Sequence, residues 1–306
     1  MKFKAHDYQQ YAIDFILSHP VCCLILDMGL GKTAITLTAM MELLFNYFLV
    51  GRVLVIAPKR VAESTWPAEI KKWEHLTGLT YSVVKGTAKQ RNEALLRPAD
   101  VYIIGRDNVT WLVEKKYFSF DLIVIDELSS FKSPKAQRFK SLRKVRPLAK
   151  RVIGLTGTPG NPMDLWAEIG ILDMGQRLGR FIGAYRERFF VPDKRNGEII
   201  YSYKPRAGAE EQIYELISDI SISMKAVDFL DMPECIYNQV KVQMSDAEKN
   251  LYERMEADMI LQFGEGKDID AVNAAALNNK LQQMANGAVY NLSLIHISEP
   301  TRRRGI

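Results

Sequence analysis

Cysteine is scarce: the 306 residues contain three, Cys22, Cys23 and Cys235. The first two are adjacent, so they point to opposite faces of any strand, and no pair has disulfide or metal-ligand spacing. This excludes a disulfide scaffold and a cysteine-built metal centre, and the pattern is that of a reduced, cytosolic protein. Long hydrophobic runs are missing too. The longest apolar segment, AMMELLFNYFLV, is broken by Glu42 and Asn46, and the opening MKFKAHDYQQ has no apolar signal-peptide core. Neither can span or enter a bilayer, so no membrane partner is expected. Internal repeats and low-complexity tracts are absent, which argues against a repeat array. Charge of one sign is also in short supply: 41 Lys and Arg face 36 Asp and Glu, and the net +5 is a weak pointer to a polyanionic partner.

What is present is a large core, with 47% hydrophobic residues. Apolar or β-branched runs recur at 21–26 (VCCLIL), 53–57 (VLVIA), 81–84 (YSVV), 101–104 (VYII), 121–125 (DLIVI) and 151–155 (RVIGL). Near-continuous hydrophobic strands alternating with helices predict an α/β fold with a central, mainly parallel sheet covered on both faces. Residues 1–175 form this doubly wound domain. A first helix is expected from Asp7 as N-cap to Ser18, another from Thr33 to about Phe48, and another after Ser133 as N-cap with Pro134 in its first turn. Beyond 175 the pattern changes. FFVPDKRNGEIIYSYKP places Asn196-Gly197 between strand-like flanks, a hairpin signal. Val240, Val242 and Met244 alternate as in a half-buried strand. Ser245 and Glu248 then open a helix with a capping box, and Leu251, Met255 and Met259 share one face of it.

The segment LILDMGLGKTAITL, 24–37, places a tight glycine turn between a strand and a helix. Gly29 and Gly31 allow backbone N–H groups to face an anion, with Met28, Leu30 and Ala34 completing the loop. The helix N-terminus adds a favourable field, Lys32 reaches outer phosphates, and Thr33 offers a hydroxyl to Mg²⁺. The first glycine of the full phosphate-loop pattern is replaced by Leu26, and a plain strand-turn-helix with an exposed lysine is the alternative. Asp126 and Glu127 end another predicted strand, at the edge where such sheets bind ligands. There a carboxylate holds Mg²⁺ and its neighbour orients or deprotonates water, or else the pair only caps the next helix. LTGTP, 155–159, brings Thr156, Gly157 and Thr158 to the same edge, where hydroxyls can sense a γ-phosphate. Trp66 and Trp73, seven apart, suit one helix face and the core.

Together these motifs resemble superfamily 2 helicases, and more narrowly the Swi/Snf-like DNA translocases of the type common in bacteriophages. The resemblance rests on HDYQ (6–9), DMGLGKT (27–33), APKRV followed by spaced Trp66, Glu69 and Trp73, DELSS (126–130), LTGTP with DLW (164–166), and LDMGQRLGRFIGAYRERFF (172–190). It implies a RecA-like P-loop domain, ATP as nucleotide with Mg²⁺, and DNA, in duplex form, as partner. By the same resemblance Gln9 reads the adenine, Lys32 and Thr33 bind phosphate and metal, and Asp126 and Glu127 serve metal and water. Thr156 to Thr158 couple hydrolysis to movement, together with the fourth acidic-box position, often histidine in the family and Ser129 here. Lys59, Arg60, Arg106 and Asn108 fall where the family touches the DNA backbone. The implied setting is the cytoplasm of a bacterial host, with a phage or prophage gene.

The resemblance also implies a division of the chain. Residues 1–175 are the first ATPase lobe, and 176–291 a helical and β-hairpin extension leading to a second lobe that would supply an arginine finger. LQQMANGAVY, 281–290, resembles the end of that extension, and sixteen residues follow, so the second lobe is expected to be missing and turnover weak. LSLIHISEPTR, within 292–306, resembles a translated sequencing adapter; the alternative is a genuine strand with a basic tail. Without the tail's three arginines and one glutamate, 38 basic residues face 35 acidic ones, a net charge of +3. Two other functions stay open: another P-loop NTPase, although Asn279-Lys280 is followed by Leu281-Gln282 rather than a guanine-reading NKxD, and a nucleotide- or DNA-binding module without turnover.

Overall fold

All six hydrophobic runs become strands of one sheet in the computed structural model of the chain, which describes residues 1–115, 118–158, 160–196, 199–230, 238, 243–258, 260–263, 267–270, 274–286, 288–290 and 295–297. In chain order the elements are α1 (Asp7–Ser18), β1 (Val21–Leu26), α2 (Lys32–Met41), β2 (Val53–Ala57), α3 (Trp66–Lys72), β3 (Tyr81–Val84), α4 (Ala88–Leu96), β4 (Val101–Gly105), α5 (Val109–Glu114), β5 (Leu122–Asp126), α6 (Gln137–Val145) and β6 (Arg151–Thr156). They are followed by α7 (Pro162–Asp173), α8 (Ile182–Phe189), β7 (Phe190–Asn196), β8 (Ile199–Pro205), α9 (Ala209–Ile217) and β9 (Ser221–Met224). The sheet runs β3-β4-β2-β5-β6-β1-β9. Every one of its pairings is parallel. The edge strand β9 lies beyond residue 175, so the sheet recruits from the later part of the chain.

Alternation along the strands divides the core into two layers. Cys23, Ile25, Leu54, Ile56, Ile123 and Ile125 pack on one side of the sheet, with α7 residues such as Ile169 and Leu172. Cys22, Leu24, Val53, Val55, Leu122 and Val124 pack on the other, with Ile13, Ile35 and Trp66. The adjacent cysteines therefore do face opposite layers, and both are free thiols among the described residues. Burial pushes the Cys22 thiol up to about 12, far from reactivity at neutral pH.

Several helix ends differ from the sequence expectation. Helix α1 starts at Asp7, but His6 is the N-cap and forms the capping box with Gln9. Its C-terminal carbonyls of Ile16 and Leu17, with that of His19 beyond it, accept from Arg151 Nη2 at 2.6 to 3.1 Å, which satisfies orphan acceptors at a favourable end of the helix dipole. Helix α2 gives way at Met41 to a wider turn through Glu42–Asn46. Helix α6 starts at Gln137 with Ala136 as cap, rather than after Ser133, because residues 133–136 close a turn by the Ala136 N–H donating to the Ser133 carbonyl.

The chain divides into two compact units, Met1–Pro233 and Glu234–Ile306. Within the first, β7 and β8 pair as an antiparallel hairpin where the sequence predicts one; Gly197 of its turn lies outside the described residues. Within the second, α10 (Asp246–Asp258) opens with the Ser245–Glu248 capping box and α11 (Ala274–Ala285) follows. Met255 and Leu281 are buried together there. Ile295–Ile297 pairs antiparallel with Ala288–Tyr290. Val240, Val242, Met259 and Cys235 lie outside the described residues. Among the described residues no helix is long and apolar enough to cross a membrane.

Candidate nucleotide site

Strand β1 delivers the chain to the C-terminal rim of the sheet, and the loop 27–31 turns it into α2. The turn needs glycine at Gly31, whose φ of 81° is left-handed. A Cβ there would also lie 2.7 Å from Gln9 Nε2, closer than any side chain tolerates. Gln9 is buried and fixed at both ends: its Oε1 accepts from the His6 N–H at 3.1 Å, and its Nε2 donates to the Leu30 carbonyl at 3.3 Å. Sequence position 9 and the phosphate loop are thus one unit. A cleft of about 700 Å³ opens here, lined by Lys2, Lys4, Gln9, Met28, Gly29, Gly31, Lys32, Thr33 and Ala34 on one side and Thr65, Glu69 and Trp73 on the other. Leu30, by contrast, is fully buried beneath the loop.

Lys32 Nζ donates to the carbonyls of Leu26 at 2.6 Å and Asp27 at 3.0 Å. Burial lowers its pKa, and Asp126, Glu127 and Asp27 oppose that fall. An ammonium with three donors, held by carbonyls inside a glycine turn, fits an oxyanion that would take their place. Asp126 ends β5. Burial raises its pKa against a hydrogen bond from Trp66, while Glu127 adds to the rise and Lys32 opposes it. Glu127 has a left-handed φ of 60°, a conformation that costs a non-glycine residue about 1–2 kcal/mol, and Ser129 Oγ donates to its Oε1. Strain of that kind clusters at functional positions.

The third strand end closes the group. Thr156 is buried at the end of β6, its hydroxyl donating to the Thr158 carbonyl at 2.9 Å. A Cβ on Gly157 would stand 3.7 Å from Lys32 Nζ. The structure therefore brings together Gln9, the 28–34 loop, Asp126, Glu127, Ser129 and Thr156 to Thr158. Among the described residues no cluster of three His, Cys, Asp or Glu could hold a metal alone. A hydroxyl and a carboxylate, Thr33 and Asp126, nevertheless suit Mg²⁺, which takes one or two protein oxygens and completes its shell with phosphate and water.

The positions expected at DNA lie farther along the rim, at the ends of β2 and β4. Lys59 and Asn108 line a second cavity, of about 800 Å³, with Lys85, Arg91 and Arg97 and the acidic Glu63, Glu93 and Asp107. Arg60 and Arg106 are not among its lining residues.

Three participants take parts that the sequence reading does not assign to them. Trp66, a motif residue whose spacing places its side chain in the core, is buried and also donates its indole N–H to Asp126 Oδ2 at 2.8 Å, across sixty residues of chain. Asp27 joins the phosphate loop to the segment after β9: its Oδ2 accepts from the Ala226 N–H at 2.9 Å and its N–H donates to the Met224 carbonyl at 3.1 Å. Glu168 of α7 is 1% exposed. Its carboxyl lies under the loop after Thr158, where a Cβ on Gly160 would meet Oε1 at 2.9 Å.

The SNF2-related domain family matches residues 8–291. The putative protein p41 of Acyrthosiphon pisum secondary endosymbiont phage 1 is 36% identical over 301 residues, 94% of this chain and 65% of that protein. The DNA annealing helicase and endonuclease ZRANB3 of Homo sapiens is 27% identical over 265 residues, 81% of this chain and 23% of that protein. The chain thus spans less than two thirds of the length of either. The Sulfolobus solfataricus SWI2/SNF2 ATPase core in complex with dsDNA has the same fold, with a TM-score of 0.64 at 21% identity over 94% of this chain and 59% of that one. With three strand ends meeting at one rim and a family match over nearly its whole length, the chain belongs to the SNF2-related domain family and has the RecA-like fold of a SWI2/SNF2 ATPase core.

Proposed function

We propose that the chain is the ATP-binding lobe of a DNA-dependent ATPase that couples hydrolysis to movement on duplex DNA, in the cytoplasm of a phage-infected bacterium. The observation that carries the proposal is the convergence on Lys32: the acidic pair acts on its charge, and Gly157 stands beside its Nζ. In this reading Lys32 exchanges the Leu26 and Asp27 carbonyls for the outer phosphates of ATP, and Gln9 reads the base edge. Thr33 and Asp126 hold Mg²⁺, which when bound neutralises phosphate charge and favours departure of the leaving group. Glu127, aimed by Ser129, orients the attacking water and takes up its proton. Thr156 to Thr158, sharing a rim with Lys32, pass the change in phosphate occupancy to the rest of the lobe.

Turnover by this chain alone is slow in the same reading. The described residues lining the cleft include lysines but no arginine, and an arginine finger is worth about 10³ to 10⁵ in rate in P-loop enzymes. We assign that arginine to a second lobe, reached through an extension that begins near residue 176. Calorimetry on the chain tests the site: Mg·ATP binds, GTP competes poorly, and Lys32→Ala weakens binding roughly a hundredfold. Equal affinity of the wild type and Lys32→Ala chains for ATP overturns the phosphate assignment. Fast DNA-stimulated hydrolysis by the wild type overturns the claim that this lobe is incomplete as a catalyst.

A further inference from the structure

Trp66 opens α3, which packs on the nucleotide helix α2, and the residue is shut off from solvent. A buried indole must place its N–H on an acceptor or bear the cost of an unpaired donor. Its acceptor is a carboxylate at the rim, Asp126 Oδ2, at 2.8 Å. The neighbouring residues Thr65 and Glu69 line the cleft, so the bond runs from the cleft wall to the end of β5. Trp73, seven residues later, donates instead to Glu69 Oε2 at 2.7 Å, within its own segment. Two tryptophans that look equivalent in sequence therefore hold different groups.

A carboxylate turns easily about its last bond, because that torsion is broad and nearly two-fold. A donor on one oxygen stops the turning and gives the other oxygen a single bearing. Partners of this kind, behind the ligands of a metal, are typically worth about 10- to 100-fold in metal affinity. We propose that Trp66 is a positioning residue for the metal-binding carboxylate, its indole N–H holding Oδ2 of Asp126 so that the other oxygen meets the divalent cation of the bound nucleotide. The inference rests on the ATP reading above and gives Trp66, which the resemblance only marks by its spacing, a defined task in it. It also gives Trp66 a role that filling the core does not require.

Trp66→Phe keeps an aromatic ring and removes the donor, and Trp73→Phe controls for loss of a tryptophan. A fluorescent ATP analogue is bound to each full-length chain in chelator and then titrated with Mg²⁺. Half-saturation by Mg²⁺ should require about tenfold more metal in Trp66→Phe, with metal-free nucleotide affinity unchanged and Trp73→Phe like wild type. A folded Trp66→Phe chain with wild-type Mg²⁺ dependence overturns the proposal and leaves the ATP reading standing. Failure of the wild type to bind the analogue at all overturns both. If Trp66→Phe does not fold, the indole ¹H–¹⁵N signals of the wild type decide: the Trp66 signal should move when Mg²⁺ is added to the nucleotide-bound chain, and that of Trp73 should stay. A Trp66 signal indifferent to Mg²⁺ overturns the proposal.

Discussion

Two clefts open along one rim of the sheet, and they are built differently. In the nucleotide cleft the loop residues between Asp27 and Lys32 are contiguous, and short local bonds fix them: Lys32 to the Leu26 and Asp27 carbonyls, Gln9 to Leu30. In the second cavity the cations come from separate segments, among them helix α4, and several are already engaged. Lys85 pairs with Glu63 at 3.7 Å, and Arg91 donates to Asn108 while stacking on Trp111 at 4.3 Å. Phosphate recognition by backbone needs one loop of the right shape, whereas following a nucleic-acid backbone needs only cations at intervals. The first demands a spelling that survives in sequence; the second can be met by many arrangements.

The sharpest way to break this comparison is to remove one cation from each cleft in turn. Lys32→Ala should weaken Mg·ATP binding by about 3 kcal/mol, roughly a hundredfold in Kd. Lys85→Ala, which removes a cation of the other cavity, should leave it unchanged. Competition binding with a fluorescent nucleotide measures both, and an effect of Lys85→Ala as large as that of Lys32→Ala would erase the distinction.

Next in size is a test at Glu168, which belongs to neither cleft wall but lies beneath the loop that joins β6 to α7. Burial, chiefly, with repulsion from Asp164 and Glu127 against the attraction of Lys132, raises its pKa from 4.5 to about 7. Its Oε1 has no hydrogen-bond partner among the described residues. The native state therefore holds this proton more tightly than the unfolded chain does. The stability it carries is whole below about pH 4.5 and is lost as pH rises through about 7, to a limit near 3 kcal/mol. Glu168→Gln should flatten that part of the pH profile and raise the melting temperature at pH 8 relative to wild type. Parallel melting curves for the two chains between pH 5 and 8 would refute it.

Much of the nucleotide cleft was legible because its parts are local in sequence. DMGLGKT and DLIVIDEL each combine a hydrophobic strand with the polar group at its end, so the strand order carries them to one rim without further information. Even Leu26, in place of the usual first glycine, makes sense: it completes β1, its side chain is buried in the core, and its carbonyl accepts from Lys32. What escaped reading depends on contacts made far along the chain. Trp66 has the helical spacing of a core residue and is one; its bond to Asp126 spans sixty residues and follows from the packing of α3 on α2. Glu168 reads as an ordinary polar residue of a helix, and its burial follows from α7 lying against β6, where Gly154 leaves room for Leu128 and Leu172. The strand β9 was missed because SISM is four residues long and is placed by pairing with β1, not by its composition.

A third test, somewhat smaller, probes the turn itself. Gly31→Ala forces a left-handed φ on a residue with a Cβ, at about 1–2 kcal/mol. It also presses that Cβ on Gln9, which cannot swing away without giving up its bonds to His6 and Leu30. Stability should fall by about 2 kcal/mol and ATP affinity with it. Gly78→Ala, at a site with nothing within 4 Å of the added carbon, should be near neutral in both measurements.

The smallest expected effect belongs to the second cavity, and it sharpens the comparison most. Lys59 is exposed at the end of β2, and Gly105 at the end of β4 lets it stand near Asn108: a Cβ on that glycine would be 3.6 Å from Lys59 Cα and 3.7 Å from Asn108 Nδ2. If duplex DNA passes here, Lys59 neutralises one phosphate, and its loss removes one released counterion. Lys59→Ala should then weaken duplex binding only a few-fold at moderate salt, yet lower the slope of log K against log salt by about 0.9. Arg60→Ala, whose side chain is exposed but outside the cavity, should change the slope less, although the two residues are adjacent. Fluorescence anisotropy over a salt series separates the cases. Equal slopes for the wild type and Lys59→Ala would mean that this cavity is not the DNA track, and that its cations serve only the salt bridges and stacking that already hold them.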